Sequence, residues 1–434
     1  MNPNENENMN GEGLEKMEKQ YDFAPNPNKK KQKKSLQVSL PLTIVLVLLT
    51  ALLTFQTTFV VLNIKHTLEL TKTKAAIGKF QLLAEAYELF GEEYIYDIDA
   101  DALIDQMLTA FNSQDKYSAY YTLADYLEMV QGSQGSAKGI GVYITGTATS
   151  MIVTYVMPKS PADVAGLHSG DEIIAVDGNY ISDVGYNKAV DMVTGENGTQ
   201  VVLKVMRGGK EMDIPVVRGD YTPYTVIHSM KTVTNEGGKS ENIGYVKILQ
   251  FDQITVTQFK TAMEELKNSG CEKFVFDLRD NPGGELNAVV SMLDYLLPEG
   301  PIVHILDADK NVTKVYDSDK NEVSGEMVVL TNGNTASAGE LFTAALRDYE
   351  KATLIGVKTY GKGCGQSFHP LSNGGFITVT SFFYNPPYGE NYDGVGIYPD
   401  IEVELPKEYK NANTLIIPFE SDTQLQAAYA ELTK

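Results

Sequence analysis

The sequence has two cysteines in 434 residues, too few for a disulfide-framed scaffold or a Cys-rich zinc module. Its five histidines (His66, His168, His228, His304 and His369) are dispersed and form no H-E-x-x-H pair. A histidine-ligated metalloprotease is therefore a poor reading, and no metal site or cofactor is expected. Positive charge is also short: 36 Lys+Arg stand against 57 Asp+Glu, a net charge of −21. That balance argues against a nucleic-acid partner, because a polyphosphate is held by clustered lysine and arginine. No G-x-S-x-G elbow occurs, which removes the α/β-hydrolase reading. What is present is a 43% hydrophobic fraction, ample for packed cores, in a length that allows about three domains.

Residues 1–20 are rich in Asn and Glu and poor in apolar side chains, the composition of a disordered tail. A basic cluster follows, Lys29, Lys30, Lys31, Lys33 and Lys34, and then residues 36–64 carry no charge at all. A helix spans a bilayer with about 20 apolar residues. A cleaved signal peptide would have a shorter apolar stretch and an A-x-A cleavage site, and a buried core helix would show a polar stripe. The expectation is a cytoplasmic basic tail at 1–35 and an uncleaved transmembrane helix at 36–64. All five lysines precede it, so the positive-inside rule places the rest of the chain outside the cytoplasm, anchored to the cell membrane by a single pass.

Residues 66–132 are expected to form a helical N-terminal segment, with Phe80, Leu83, Tyr87 and Phe90, then Leu103, Met107 and Phe111, at helical spacing. The stretch D-K-Y-S-A-Y-Y (115–121) breaks that pattern, and the Gly/Ser-rich piece at 131–138 reads as a linker. From 133 to 218 short β-type runs surround G-I-G-V (139–142), S-P-A-D-V-A-G-L (160–167) and G-D-E-I-I-A-V-D-G (170–178). This unit resembles a PDZ domain of the bacterial protease type, a small β-barrel-like fold. Such domains take a peptide C-terminus as an added strand, with its carboxylate on the N–H groups of a glycine-bearing loop. Here that loop is Gly139, Ile140 and Gly141.

Residues 219–434 alternate strands and helices, the pattern of an α/β core whose strand ends carry the site loops. The run K-F-V-F-D-L (273–278) leads through R-D-N-P-G-G (279–284) into a helix. M-V-V-L-T (327–331) leads through N-G-N-T-A-S (332–337) into another, and A-T-L-I-G-V (352–357) leads into K-T-Y-G-K-G-C-G-Q (358–366). Ser337 sits where strand gives way to helix. A serine there is most often only an N-cap; as a nucleophile it would have the N–H of Ala338 and the helix dipole behind it. Lys362 is a candidate base, which requires its pKa to fall far below about 10 through burial or nearby positive charge. The same segment matches G-x-x-x-x-G-K, but Gly363 replaces the Mg²⁺-binding Ser/Thr and no helix follows, so a P-loop fails.

T-A-S-A-G-E-L-F (335–342), T-Y-G-K-G (359–363) with Gln366, F-D-L-R-D-N-P-G-G (276–284) and G-V-G-I-Y-P-D-I (394–401) together resemble the C-terminal processing, tail-specific S41 serine peptidases. D-K-Y-S-A-Y (115–120) and D-T-Q-L (422–425) fit as well, so the resemblance runs from about residue 75 to the C-terminus. It implies a multidomain α/β chain with a crotonase/ClpP-like α/β protease core. It also implies a catalytic Ser337, a general base Lys362, Gln366 orienting that lysine, and an oxyanion hole from Ala338 with Gly283 or Gly284. A PDZ arginine, Arg207 or Arg218, is a candidate gating residue. The implied substrates are proteins or peptides with apolar C-terminal tails, and the N-terminal segment is a candidate homodimerisation arm. Cys364-Gly365 and the lengthened N-P-P-Y-G-E-N-Y-D-G (385–394) depart from the family pattern without removing a catalytic group. A catalytically silent PDZ scaffold and an acyl-transfer or thioester hydrolase are the rival functions.

Overall fold

A computed structural model describes residues 78 and 80–434, except 114, 148, 235 and 236. The basic tail and the charge-free run at 36–64 lie outside the described residues; among those described, no helix is long and apolar enough to cross a membrane. The chain divides into two units, Met1–Ile98, of which the helix 80–93 is described, and Asp99–Lys434.

The largely parallel sheet of the second unit runs in the order Val226–Thr234, Ser240–Ile248, Lys273–Asp277, Met327–Thr331, Ala352–Gly356, Ile401–Glu402. Its first pairing is antiparallel and the other four are parallel. Parallel strands covered on both faces read as unbroken apolar runs, which is why Met327–Thr331 is buried throughout. Alternate side chains serve the two faces. Phe274 and Phe276 pack under the helices Gln253–Asn268, Leu286–Leu296 and Ala338–Asp348. Val275, Val328 and Leu330 meet Tyr429 and Leu432 of the C-terminal helix Thr423–Leu432 on the opposite face.

A second, antiparallel sheet places Ala119–Tyr121 beside Phe376–Asn385, followed by Gly300–Leu306 and Val312–Ser318, and Cys364–Pro370 also pairs with Phe376–Asn385. The PDZ unit has its own sheet, Val142–Gly146, Met151–Val156, Glu172–Val176, Gln200–Arg207 and Lys210–Val217, over a separate apolar core. The expected linker at 131–138 is largely ordered. Residues 131–133 are the last turn of the helix Leu123–Ser133, and Ala137–Gly139 pairs antiparallel with Gly219–Tyr221. The chain thus enters and leaves the PDZ unit through one two-stranded clasp. Composition could not show this, since the partner strand lies on the far side of the whole domain.

Buried charge fastens the C-terminal helix to the strand end that carries residues 280–284. Arg279 donates to Asp277 at 2.7 Å and to both carboxylate oxygens of Asp422 at 2.8 Å, while Lys247 donates to Asp277 at 3.1 Å. Burial alone would raise the Asp277 carboxyl, but Arg279 and Lys247 hold it well below its ordinary value. Its contribution to stability is therefore present at neutral pH and is lost on acidification below about pH 4. Arg279→Ala leaves buried Asp422 without its cation and Asp277 with Lys247 alone, and we expect a loss of about 3–5 kcal/mol, read as a lower urea midpoint. An unchanged midpoint would mean that the network contributes nothing to the fold.

Candidate active site

Ser337 begins the helix Ala338–Asp348 with φ 54° and ψ −119°, on the positive-φ side that a residue with a Cβ seldom occupies. Such strain persists only where the surroundings over-determine it. Here the agent is Glu340, whose side chain is fully buried and reaches back to the Ser337 N–H at 3.0 Å. The same carboxylate accepts the N–H of Gly361 at 2.7 Å, the N–H of Lys362 at 2.8 Å and the Thr359 hydroxyl. Burial pushes the Glu340 carboxyl up, against these four donors. One oxygen, Oε2, holds the backbone of both Ser337 and Lys362, so the serine and lysine loops are registered to each other by a single side chain.

Lys362 Nζ donates to Gln366 Oε1 at 3.0 Å. A register shift between Gly365 and Gln366, in the pairing with Phe376–Asn385, re-aims the strand at this point. Behind it, Gln366 Nε2 donates to Thr380 Oγ1 at 3.4 Å, and Thr380 donates to Asp115 at 3.2 Å. Asp115 itself is held by the Tyr117 and Ser118 N–H groups and the Ser118 hydroxyl, which accounts for the D-K-Y-S phrase. Burial lowers the Lys362 pKa, the change a base requires, and the charge of Lys116 acts in the same direction. The Lys362 amine also lies 4.4 Å from the Tyr117 ring centre. The Tyr384 hydroxyl donates to the Lys362 carbonyl at 2.8 Å and is hydrogen-bonded to the Ser337 side chain. Ser337 and Lys362 make no direct side-chain bond among the described residues, but both line one cavity of about 980 Å³.

The N–H groups near Ser337 separate the two glycines. Gly283, at φ 105°, packs so closely that an added Cβ would come 2.7 Å from Ser337 Cβ. Its N–H, however, donates to Asn281 Oδ1 at 2.8 Å. Gly284 bridges Phe251 in parallel through its neighbours: the Phe251 N–H donates to the Gly283 carbonyl, and the Glu285 N–H to the Phe251 carbonyl. The N–H of Gly284 takes no part in that bridge. Gly284 and Ala338 line the cavity, and neither N–H has an acceptor among the described residues.

In the PDZ unit the strand Val142–Gly146 pairs along one edge only, with Met151–Val156. Just ahead of it, Gly139 ends the clasp strand, while the carbonyls of Ile140 and Gly141 accept the N–H groups of Ala162 and Met157. Gly141, at φ 76°, has no room for a Cβ, which would fall 2.4 Å from Ser160. Both PDZ arginines are engaged inside their own domain. Arg207 pairs with Asp171 and the Gly166 carbonyl, and Arg218 caps the carbonyls of Met192 and Val193. Neither lines the Ser337 cavity. Cys271 and Cys364 are both free and buried.

Sequence reading assigned no role to Glu340, although the S-x-x-E spacing of a capping box marks it. Tyr384 had no local signal, because its strand reaches the site only through sheet pairing.

A family model described as Peptidase family S41 matches residues 242–403, and one described as PDZ domain matches residues 130–206. The chain is 32% identical to a carboxy-terminal-processing protease of Bartonella bacilliformis, covering 75% of this chain and 76% of the relative. It is also 32% identical to a Staphylococcus aureus protein described as a CtpA-like serine protease, covering 77% of this chain and 66% of that relative. Among solved structures, a Bacteroides fragilis protein assigned to the S41 proteases superposes with a TM-score of 0.51 at 20% identity, over 77% of this chain and 90% of its own, a likeness of fold.

Proposed function

The chain belongs to peptidase family S41, as a C-terminal processing serine protease with a PDZ domain, and from this we propose that it cleaves through a Ser337–Lys362 dyad. The observation that carries the proposal is the grip of buried Glu340 on the N–H groups of both residues. Neutral Lys362 takes the Ser337 proton as Oγ attacks the substrate carbonyl carbon. The oxyanion is met by the N–H groups of Ala338 and Gly284 and by the positive end of the helix Ala338–Asp348. Collapse breaks the peptide C–N bond, and the Lys362 ammonium returns the proton to the departing amine. Water then attacks the acyl-serine ester, with Lys362 again as base, and Ser337 is regenerated. Gln366 orients the amine, supported by Thr380 and Asp115. With these groups arranged together, a catalytically silent scaffold and a thioester hydrolase have no observation in their favour.

The substrates in this reading are extracytoplasmic proteins or peptides whose apolar C-terminal tails add to the open edge of Val142–Gly146. The charge-free run at 36–64 would be the anchor in the bilayer. Exposed apolar side chains on the helix 80–93, Leu82 at 73% and Leu89 at 58% among them, support a second copy covering this arm. The test pairs one apolar-tailed peptide with its C-terminal amide. The free acid should be cleaved with a kcat/KM about tenfold higher, the worth of one charged hydrogen-bond set. Equal rates would remove the tail-capture role, and no cleavage of either would count against the protease assignment.

A further inference from the structure

The cavity around Ser337 extends to the first strand of the PDZ domain, and toward that end its charge is one-sided. Among the described residues that line it, only Lys362, Asp252 and Glu285 are charged. The fold forces the two carboxylates together. Phe251 and Gly284 form an isolated parallel bridge, closed by the Glu285 N–H on the Phe251 carbonyl at 2.6 Å. Asp252 and Glu285 are the residues that follow, so they leave the bridge side by side, each at the start of a helix.

An acid at a helix start is ordinarily a cap. Glu285 is not used in that way: it makes no side-chain bond to its own helix, and its carboxylate accepts the Ser133 hydroxyl of the helix Leu123–Ser133 instead. The Asp252 carboxylate accepts the side-chain amide of Gln250. Both residues are partly buried, both of these side-chain partners are neutral, and among the described residues neither carboxylate has a cation. Burial pushes the Asp252 carboxyl up; the Gln250 amide opposes this and the charge of Glu285 adds to it. Half-buried carboxylates without a counter-cation are costly unless a cation arrives with the ligand.

Two aromatic rings complete this wall. Tyr143, on the PDZ strand Val142–Gly146, and Tyr221, on the strand by which the chain leaves the PDZ unit, line the same cavity; burial pushes the Tyr143 hydroxyl pKa up and the charge of Asp252 adds to it. Neighbouring carboxylates and tyrosine rings lining one cavity suit an ammonium or guanidinium group. We infer that Asp252 and Glu285 make this peptidase select a lysine or arginine side chain in the substrate, between the scissile bond and the tail held by the PDZ domain. The placement on that side of the scissile bond rests on the tail-capture reading above.

The test separates the two. Full-length protein carrying Ser337→Ala is titrated, by fluorescence anisotropy, with peptides that share one apolar tail and carry Lys or Glu at each upstream position in turn. At one or two neighbouring positions Lys should bind at least about tenfold more tightly than Glu, as for a charge-assisted hydrogen bond. Asp252→Asn with Glu285→Gln, which keeps the shape of both side chains, should bring that ratio close to one, and Glu285→Lys should invert it. A Lys-to-Glu ratio near one at every position, or a ratio that survives the double substitution, overturns the inference. Turnover is read separately on the chain with Ser337 intact; its absence there would strike the Ser-Lys reading and leave the binding ratio standing.

Discussion

Replacing Ser337 with alanine is expected to lower peptide turnover by about 10⁴-fold or more, because removal of a covalent nucleophile eliminates the acyl-enzyme route altogether. The fold should survive. The Ser337 N–H to Glu340 bond comes from the backbone and is kept by alanine, and Glu340 still holds Gly361 and Lys362. The positive φ at this residue remains, and alanine tolerates it no worse than serine does. The measurement is mass spectrometry of fragments from an unfolded, apolar-tailed protein, with urea midpoints of both forms alongside. Turnover that persists at the wild-type rate would remove Ser337 from the chemistry.

The second large effect belongs to Lys362. Lys362→Ala should cost about 10³- to 10⁴-fold, at the upper end of what a positioned base supplies. The pH profile gives a sharper reading than the size of the loss. Burial lowers the lysine pKa in the folded chain, and only the neutral amine accepts a proton. Activity should therefore rise with pH as Lys362 deprotonates and level off above its pKa. In Lys362→Ala that limb should vanish and alkaline pH should not restore the rate. Recovery at high pH would identify hydroxide or another group as sufficient. Neutralising Lys116 provides an internal control. Its charge contributes to lowering the Lys362 pKa, so Lys116→Met should move the limb toward higher pH.

The elements visible in the sequence were those whose residues answer to their own neighbours. Lys273–Asp277, Met327–Thr331 and Ala352–Gly356 are buried on both faces, so each announces itself as an apolar run, and the loops at their ends carry Gly283, Ser337 and Lys362. The second sheet is not legible in the sequence, because it pairs Ala119 with Thr378 and Gly365 with Phe382, contacts for which local pattern carries no signal. The choice between Gly283 and Gly284 stayed open for the same reason. It depends on where Asn281 and Phe251 place their hydrogen bonds, and only the folded chain shows that. The two PDZ arginines are candidates for gating through the family resemblance; in the structure their guanidinium groups serve Asp171 and the end of the helix Tyr186–Val193.

The strand pair Ala137–Gly139 with Gly219–Tyr221 brings the two ends of the PDZ unit next to each other, so the chain passes into that unit and back out of it at one place. A segment whose ends meet can be exchanged for another of different specificity without re-routing the host chain. In the tail-capture reading proposed above, tail recognition and bond cleavage are separately heritable: a new tail preference would come with a new insert, while Glu340, Ser337 and Lys362 stay where they are.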